Sequence, residues 1–191
     1  MASSYETSDF RKGLKILWDG VPWIVLDFQH VKPGKGNAFT RTRLRNLLTG
    51  AQQEVTMKSG ERCGDPEIED KSMSFLYKDN EGYHFMDQRT YDQVALSAES
   101  IGDVVKFLLP EMQANVMFYQ GRAINVDIPQ HVTMKVTYCE PGVRGDTATN
   151  VTKPATLETG AIVNVPIFIN QGDTVKVDTR TGDYLERTQI G

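Results

Sequence analysis

Short runs of alternating apolar and polar residues, separated by turn signals, dominate the chain. The runs recur about every 8–14 residues, which is typical of small all-β barrels. In the first third, Asp19-Gly20 is a hairpin signal between two such runs. The strands predicted there are Leu14–Trp18, Val21–Val31, Phe39–Leu48 and Glu54–Lys58.

The same pattern continues to the end of the chain. A short helix is predicted near Ala98–Gly102, Ile101–Leu109 is compatible with helix or strand, and Glu140–Asn150 is predicted to be a loop. The remaining predicted strands are Ser72–Tyr77, Gly82–Met86, Asn115–Tyr119, Arg122–Asp127, His131–Tyr138, Gly160–Ile169, Thr174–Asp178 and Tyr184–Arg187.

Two proline-containing segments suggest where domains meet. Gly64-Asp65-Pro66 and Pro129 interrupt strand pairing and suit linkers. We therefore predict an all-β chain of three consecutive small β-barrels with domains at 1–65, 66–128 and 129–191. Barrels of about 60 residues bury only about 60 % of their unfolded surface, so docking between neighbours would help to stabilise them.

Composition narrows the protein class. Of the 191 residues, 39 % are hydrophobic and 24 % are charged, which suits a soluble globular protein. There is no run near the roughly 20 apolar residues that a membrane span needs, and no export signal is evident, so we expect a cytoplasmic protein without membrane contact. Cys63 and Cys139 lie far apart, which excludes a Cys-only zinc site and does not suggest a disulfide scaffold.

Charge is distributed unevenly. Residues 1–65 hold ten basic and seven acidic residues, residues 66–128 hold five and eleven, and residues 129–191 hold six and seven. Although the net charge is −4, the segment Phe28–Gln53 contains no acidic residue. One basic end on an acidic body indicates a polyanion contact at that end only.

The centre of the acid-free segment is a glycine-flanked lysine. Gly34 and Gly36 remove side-chain bulk on both sides of Lys35 and allow backbone amides to approach a phosphate. Lys35 adds a cation on a flexible stem. Lys32 and the alternating Arg41, Arg43 and Arg45 reinforce it, since period-two spacing puts the arginines on one strand face. RNA is the predicted partner, and a solvated hairpin with an ordinary surface lysine is the alternative.

No catalytic or metal-binding motif accompanies this loop in the sequence. Phosphate-loop, GxSxG and HExxH patterns are absent, and the histidines fall one to each predicted domain without ligand spacing. We therefore expect neither catalytic residues, nor a metal, nor a cofactor. We interpret His30, His84 and His131 as partly buried strand residues, and Trp18, Trp23 and Phe28 as core residues of the first barrel.

Two long motifs resemble those of bacterial translation elongation factor P. The first is Lys32-Pro33-Gly34-Lys35-Gly36-Asn37-Ala38-Phe39, followed by Arg43-Leu44-Arg45-Asn46-Leu47. The second runs from Lys153 to Pro166 and continues to Asn170-Gln171-Gly172-Asp173. Pro141–Thr147 and Val177–Gly182 also match, so the resemblance extends from about Asp9 to the C-terminus.

The resemblance implies a fold and a function. It implies an SH3-like first domain and two OB-folds in an L shape similar to tRNA. It also implies a monomer that binds the 70S ribosome beside the peptidyl-tRNA in the P site and relieves stalling at consecutive prolines. In this family the loop holding Lys32, Pro33, Gly34, Lys35, Gly36 and Asn37 reaches the acceptor end of that tRNA.

Two further sites follow from the same resemblance. Lys35 occupies the loop-tip position that many members modify, which implies a lysine-modifying enzyme as a partner. Asn37 stands where the lysine-tailed branch often has glutamine, so a β-lysyl extension, another aminoalkyl group and no modification all stay open. Arg144, Gly145, Asp146 and Thr147 match a third-domain loop that lies near the small subunit.

Three alternatives stay open at this point. One is a paralogue with a distinct translational role. Another is a general single-stranded RNA-binding β-barrel protein, which needs stacking aromatic residues beside the basic ones. Its candidate aromatic residues lie in the acidic middle domain, where phosphate is repelled: Tyr77, Tyr83, Phe85, Phe118 and Tyr119. The third is a small β-barrel enzyme, for which no residue is a candidate.

Overall fold

The computed structural model describes residues 4–141 and 151–188. In this part of the chain the secondary structure is almost entirely strand, arranged in three sheets, so the all-β prediction is confirmed. The chain divides into two compact units, one formed by residues 1–71 and 116–125 and the other by residues 72–115 and 126–191. The domain limits 1–65, 66–128 and 129–191 stay predictions.

The first sheet has six strands in the spatial order β1-β6-β2-β3-β4-β5. Asp19 and Gly20 both have positive φ, 54° and 74°, and Trp18 pairs with Val21, so the predicted hairpin is confirmed. The strands are β1 (Ser4–Glu6), β2 (Lys15–Trp18), β3 (Val21–Val31), β4 (Phe39–Asn46), β5 (Gln52–Lys58) and β6 (Arg62–Gly64).

One strand of this sheet ends earlier than its sequence pattern predicts. β4 ends at Asn46, two residues before the expected Leu48. The Asn46 side chain accepts hydrogen bonds from the backbone N–H groups of Leu48 and Thr49, at 2.8 and 3.0 Å. This local turn competes with ladder pairing and ends the strand.

The core of the first sheet lies on its inner face. Trp23 belongs to this core, whereas Trp18 and Phe28 are only partly buried against it. The free Cys63 is buried here, and burial raises the pKa of its thiol to about 11. The buried members are Phe10, Leu14, Ile16, Trp23, Val25, Leu44, Met57 and Cys63.

The second sheet has the strand order β11-β10-β7-β8-β9. A four-residue helix, α1 (Ala98–Ile101), confirms the predicted helix, and a 3-10 turn over Gly102–Phe107 follows it. Ser97 caps α1 by accepting a hydrogen bond from the Ser100 N–H at 3.2 Å. The strands are β7 (Glu69–Lys78), β8 (Tyr83–Met86), β9 (Gln93–Leu96), β10 (Gln113–Tyr119) and β11 (Arg122–Asp127).

The third sheet has the strand order β14-β13-β12-β15-β16. Strand β13 is missing from the prediction, and it contains Pro154, a residue that is unusual in a central strand. The pairing of β13 with β12 runs only from Ala155 to Leu157, so Pro154 has a paired strand on one side only, where it lies opposite Asn164 of β14. The structure therefore accommodates the proline. The strands are β12 (His131–Cys139), β13 (Thr152–Leu157), β14 (Ile162–Pro166), β15 (Thr174–Asp178) and β16 (Tyr184–Thr188).

Across residues 4–141 and 151–188, no helix combines the length and the apolar character that crossing a membrane requires.

Candidate nucleic-acid interface

A long two-stranded hairpin carries the glycine-flanked lysine. Beyond an irregularity between Val25 and Asp27, β3 and β4 pair without a break up to Val31 and Phe39, and the seven residues between these two form the loop. Every residue from Lys32 to Asn37 is exposed. The paired strands therefore fix the base of the loop. The loop presents its side chains to solvent, as predicted.

The two loop glycines serve different purposes. Gly36 has φ +110°, a conformation that side-chain-bearing residues rarely adopt, so the backbone itself requires glycine there. Gly34 has no such constraint, and a Cβ added to it would meet nothing within 4 Å. Gly34 therefore leaves open space beside Lys35, through which a ligand backbone can approach.

Both loop lysines are free to bind an anion. Within residues 4–141 and 151–188, no carboxylate oxygen lies within 4.0 Å of the ammonium of Lys32 or Lys35, whereas the exposed Lys12, Lys71 and Lys106 do form such pairs. The loop therefore presents positive charge that the described part of the protein does not neutralise.

The three arginines of β4 lie on the outer face of the first sheet. Their neighbours Thr40, Thr42 and Leu44 are 0–1 % exposed, whereas Arg41 and Arg43 are exposed and Arg45 is half-buried. Period-two alternation thus confirms the prediction that the three guanidinium groups share a face.

This face also contains carboxylates that the sequence reasoning missed. The acid-free segment is bounded by Asp27 and Glu54, and strand pairing places both of them opposite Arg43. Glu54 forms an ion pair with Arg41, with 3.4 Å between Oε1 and Nε. Mutual repulsion of the arginines is therefore relieved partly within the protein, and a bound anion is not required for this.

The electrostatics of Asp27 support the same conclusion. The pKa of Asp27 is lowered, first by the hydrogen bond from the Lys12 ammonium and next by the backbone N–H of Phe28. The charges of Lys12 and Arg43 lower it further. Asp27 is therefore a carboxylate at neutral pH, and it partly offsets the positive charge of Arg43.

Two other sets of sequence-predicted residues lie elsewhere along the chain. Arg144, Gly145, Asp146 and Thr147 lie outside the described residues.

The aromatic residues proposed for a general RNA-binding protein are mostly buried: Tyr83, Phe85 and Phe118 are 0–7 % exposed. Tyr77 is half exposed but stacks on His84 with ring centroids 4.6 Å apart. This burial disfavours the stacking-platform alternative.

One group of possible metal ligands occurs in the described residues. Asp79, Glu81 and His84 each have a ligand atom within 4.8 Å of the others. The Asp79 carboxylate accepts hydrogen bonds from the backbone N–H groups of Glu81 and Gly82, and its Oδ1 lies 2.8 Å from His84 Nε2. The His84 contact is the main cause of the lowered pKa of Asp79. Formation of the turn thus explains the cluster without a metal.

The histidines differ from their interpretation as partly buried strand residues. Only His84 is partly buried, whereas His30 and His131 are exposed on β3 and β12. His30 Nδ1 lies 2.8 Å from Thr40 Oγ1, and His131 Nε2 lies 3.8 Å from Asp178 Oδ2.

Comparison with known proteins assigns consecutive parts of the chain to one family. Models of elongation factor P match residues 6–63 as a KOW-like domain, residues 68–126 as an OB domain and residues 132–187 as the C-terminal domain. An elongation factor P of Bdellovibrio bacteriovorus is 53 % identical over 183 residues, covering 96 % of this chain and 97 % of that protein. One from Alkaliphilus oremlandii is 50 % identical over 180 residues, covering 94 % and 97 %.

A solved structure shares the fold. Eukaryotic translation initiation factor 5A from Methanococcus jannaschii aligns with a TM-score of 0.54 at 21 % identity, over 67 % of this chain and 92 % of that one. The fold and these matches define a translation elongation factor with a KOW-like domain, an OB domain and a C-terminal domain. The chain belongs to the elongation factor P family.

Proposed function

We propose that the protein binds the 70S ribosome beside the peptidyl-tRNA in the P site and stimulates peptide-bond formation where consecutive prolines stall it. The observation that carries this proposal is Lys35, whose ammonium is exposed on a glycine-flanked loop with no carboxylate of the described residues within 4.0 Å. A cation presented in this way suits the backbone phosphates near the acceptor end of a tRNA.

The proposed mechanism is positioning. Proline is a poor nucleophile in peptide transfer, because its ring restricts the geometry of attack. Holding the donor end of the peptidyl-tRNA in a productive pose removes an entropic part of the barrier. The protein then needs no acid, base, nucleophile, metal or cofactor of its own, since the ribosome carries out the reaction. It acts as a factor and not as an enzyme.

The outer face of the first sheet provides a second contact in this proposal. Arg41 and Glu54 are 52 % and 61 % exposed in their side chains, and an exposed ion pair contributes only about 0–1 kcal/mol. Arg41 can therefore exchange its carboxylate partner for a phosphate at little cost. Arg43, Arg45 and Lys32 extend the contact along the hairpin, and Pro33, Gly34, Gly36 and Asn37 shape the loop around Lys35.

The C-terminal domain is proposed to make a separate contact. Arg144, Gly145, Asp146 and Thr147 would lie near the small subunit. They follow β12, whose end is fixed by the buried Lys153: its ammonium donates a hydrogen bond to the Glu140 carbonyl at 2.6 Å. In this proposal the protein acts as a monomer in the cytoplasm.

Addition of the protein to a reconstituted translation system tests the function. In a system lacking any such factor, we expect synthesis of a reporter with consecutive prolines to stall and to be restored by the added protein. The same reporter with alanines at those positions should be insensitive to it. Equal stimulation of both reporters, or of neither, would refute the proposed function.

Lys35 is also proposed as a modification site. Its exposure gives a modifying enzyme access, and a longer cationic side chain would extend its reach toward the tRNA. In protein purified from its native host, we expect an intact mass above that of the sequence, with the excess confined to the peptide containing Lys35. A mass equal to that of the sequence would rule out modification under those growth conditions.

A further inference from the structure

Another exposed cation lies at the base of the lysine loop. Lys58 is the last residue of β5, and its Cα pairs with that of Phe39, the first residue of β4 after the loop. Met57 is 1 % exposed and points into the core, so the alternation of β5 places Lys58 on the outer face. Lys58 therefore shares a face with the β4 arginines although it is distant in sequence.

The strand register divides this face into two ends. Arg41 pairs directly with Thr56, so Glu54 and Lys58 are its two diagonal neighbours on β5, each about 7–8 Å away. The acidic neighbour lies on the side away from the loop, and Lys58 lies on the side toward it. Lys58 therefore adds to the positive charge at the end of this face from which the Lys35 loop extends.

The backbone around Lys58 is held in place. Its N–H donates to the Glu61 carboxylate at 2.9 Å, and its carbonyl accepts from the Glu61 N–H at 3.0 Å. The next residue, Ser59, donates its N–H to the Ala38 carbonyl at 3.1 Å, which ties this turn to the end of the loop.

A buried hydroxyl completes this arrangement. Thr7 is 1 % exposed, and its Oγ1 accepts a hydrogen bond from the Gly60 N–H at 3.0 Å. The same hydroxyl lies 3.5 Å from the Lys58 carbonyl, to which it donates. The turn that follows Lys58 is thus fixed from the core side, so its backbone loses little freedom when a ligand binds.

The ammonium of Lys58, in contrast to its backbone, has no acidic partner. Within the described residues no carboxylate oxygen lies within 4.0 Å of it, and the Glu61 carboxylate accepts a hydrogen bond from the Lys58 backbone N–H instead. An exposed cation on a fixed backbone, next to other cations, fits a phosphate group better than it fits a structural role.

We propose that Lys58 is a further phosphate-contacting residue, which binds the backbone of the same RNA that Lys35 approaches. The inference rests on the proposed function, because it requires RNA beside the loop. The proposal adds one ionic contact between the protein and RNA. Such a contact releases counterions, and it therefore steepens the salt dependence of binding.

The test measures binding to 70S ribosomes carrying a P-site tRNA over a series of KCl concentrations. Loss of one phosphate contact lowers the slope of log K against log salt by about 0.7–0.9. We expect this decrease for Lys58→Gln and the wild-type slope for Lys58→Arg, which keeps the charge. A wild-type slope for Lys58→Gln, or a slope for Lys58→Arg as low as that of Lys58→Gln, would overturn the inference.

A matched control separates a specific contact from general surface charge. Lys78 is also exposed at the end of a strand, and its ammonium lies over the Tyr83 ring in the acidic part of the chain. Lys78→Gln makes the same charge change and should leave the slope unchanged. An equal decrease in Lys78→Gln and Lys58→Gln would mean that Lys58 contributes only net charge, which also overturns the inference.

The failure of this inference can be told apart from failure of the proposed function. If the wild-type protein restores the polyproline reporter and Lys58→Gln keeps the wild-type slope, only the role of Lys58 is wrong. If the wild-type protein does not restore the reporter, the proposed function is wrong whatever the slopes are.

Discussion

Replacing Lys35 with alanine should abolish rescue of a polyproline reporter while leaving thermal unfolding unchanged. The side chain is exposed and forms no ion pair within the described residues, so its removal loses no packing and no internal partner. Surface substitutions of this kind usually change stability by no more than about 0.5 kcal/mol. We expect the loss of rescue to be complete because Lys35, the cation between the two loop glycines, makes the contact with the tRNA on which the proposed mechanism depends. Reporter synthesis and circular dichroism of the same preparation measure the two effects.

Two variants make the result specific. Lys78→Ala removes another exposed lysine, far along the sequence from the loop, and should retain full rescue. Lys35→Arg keeps a positive charge but removes the primary amine that a modifying enzyme would extend. Rescue by Lys35→Arg would mean that charge alone is sufficient, and failure would mean that the lysine amine is needed. Full rescue by Lys35→Ala would contradict the mechanism.

The local features of this site could be predicted from the sequence. Gly34 and Gly36 around Lys35 indicate an exposed loop because glycine disfavours strand pairing, and Asp19-Gly20 identifies a tight hairpin from two residues. The shared face of Arg41 and Arg43 follows from alternation along one strand. Each of these inferences depends on residues that are close together in the chain.

The features that sequence reasoning missed depend on pairing between strands. The register of β3, β4 and β5 brings Asp27 and Glu54 to Arg43 and brings Lys58 to the base of the loop. A run free of acidic residues says nothing about the residues on neighbouring strands. The short β1 and β6 were missed for a similar reason, since three-residue strands that pair with each other carry too little alternation to be recognised.

The same strand that presents the arginines should determine the stability of the first sheet. Leu44 lies between Arg43 and Arg45, points the other way and is 0 % exposed in the core beside Ile16 and Val25. Leu44→Ala should lower the free energy of unfolding by about 2–5 kcal/mol, because it removes buried methyl groups and leaves a cavity. A domain of about 60 residues has only about 3–9 kcal/mol in total, so the loss is large.

Tryptophan fluorescence during urea unfolding measures this loss selectively. The chain has two tryptophans: Trp23 lies in the core of the first sheet and Trp18 packs against it, with ring centroids 6.2 Å apart. The urea midpoint should fall sharply for Leu44→Ala and stay near the wild-type value for Arg43→Ala, its exposed neighbour on the opposite face. If both midpoints stayed at the wild-type value, Leu44 would not support this core. A decrease in Arg43→Ala as large as that in Leu44→Ala would mean that the outer face carries stability, and its arginines would then be less free to bind RNA.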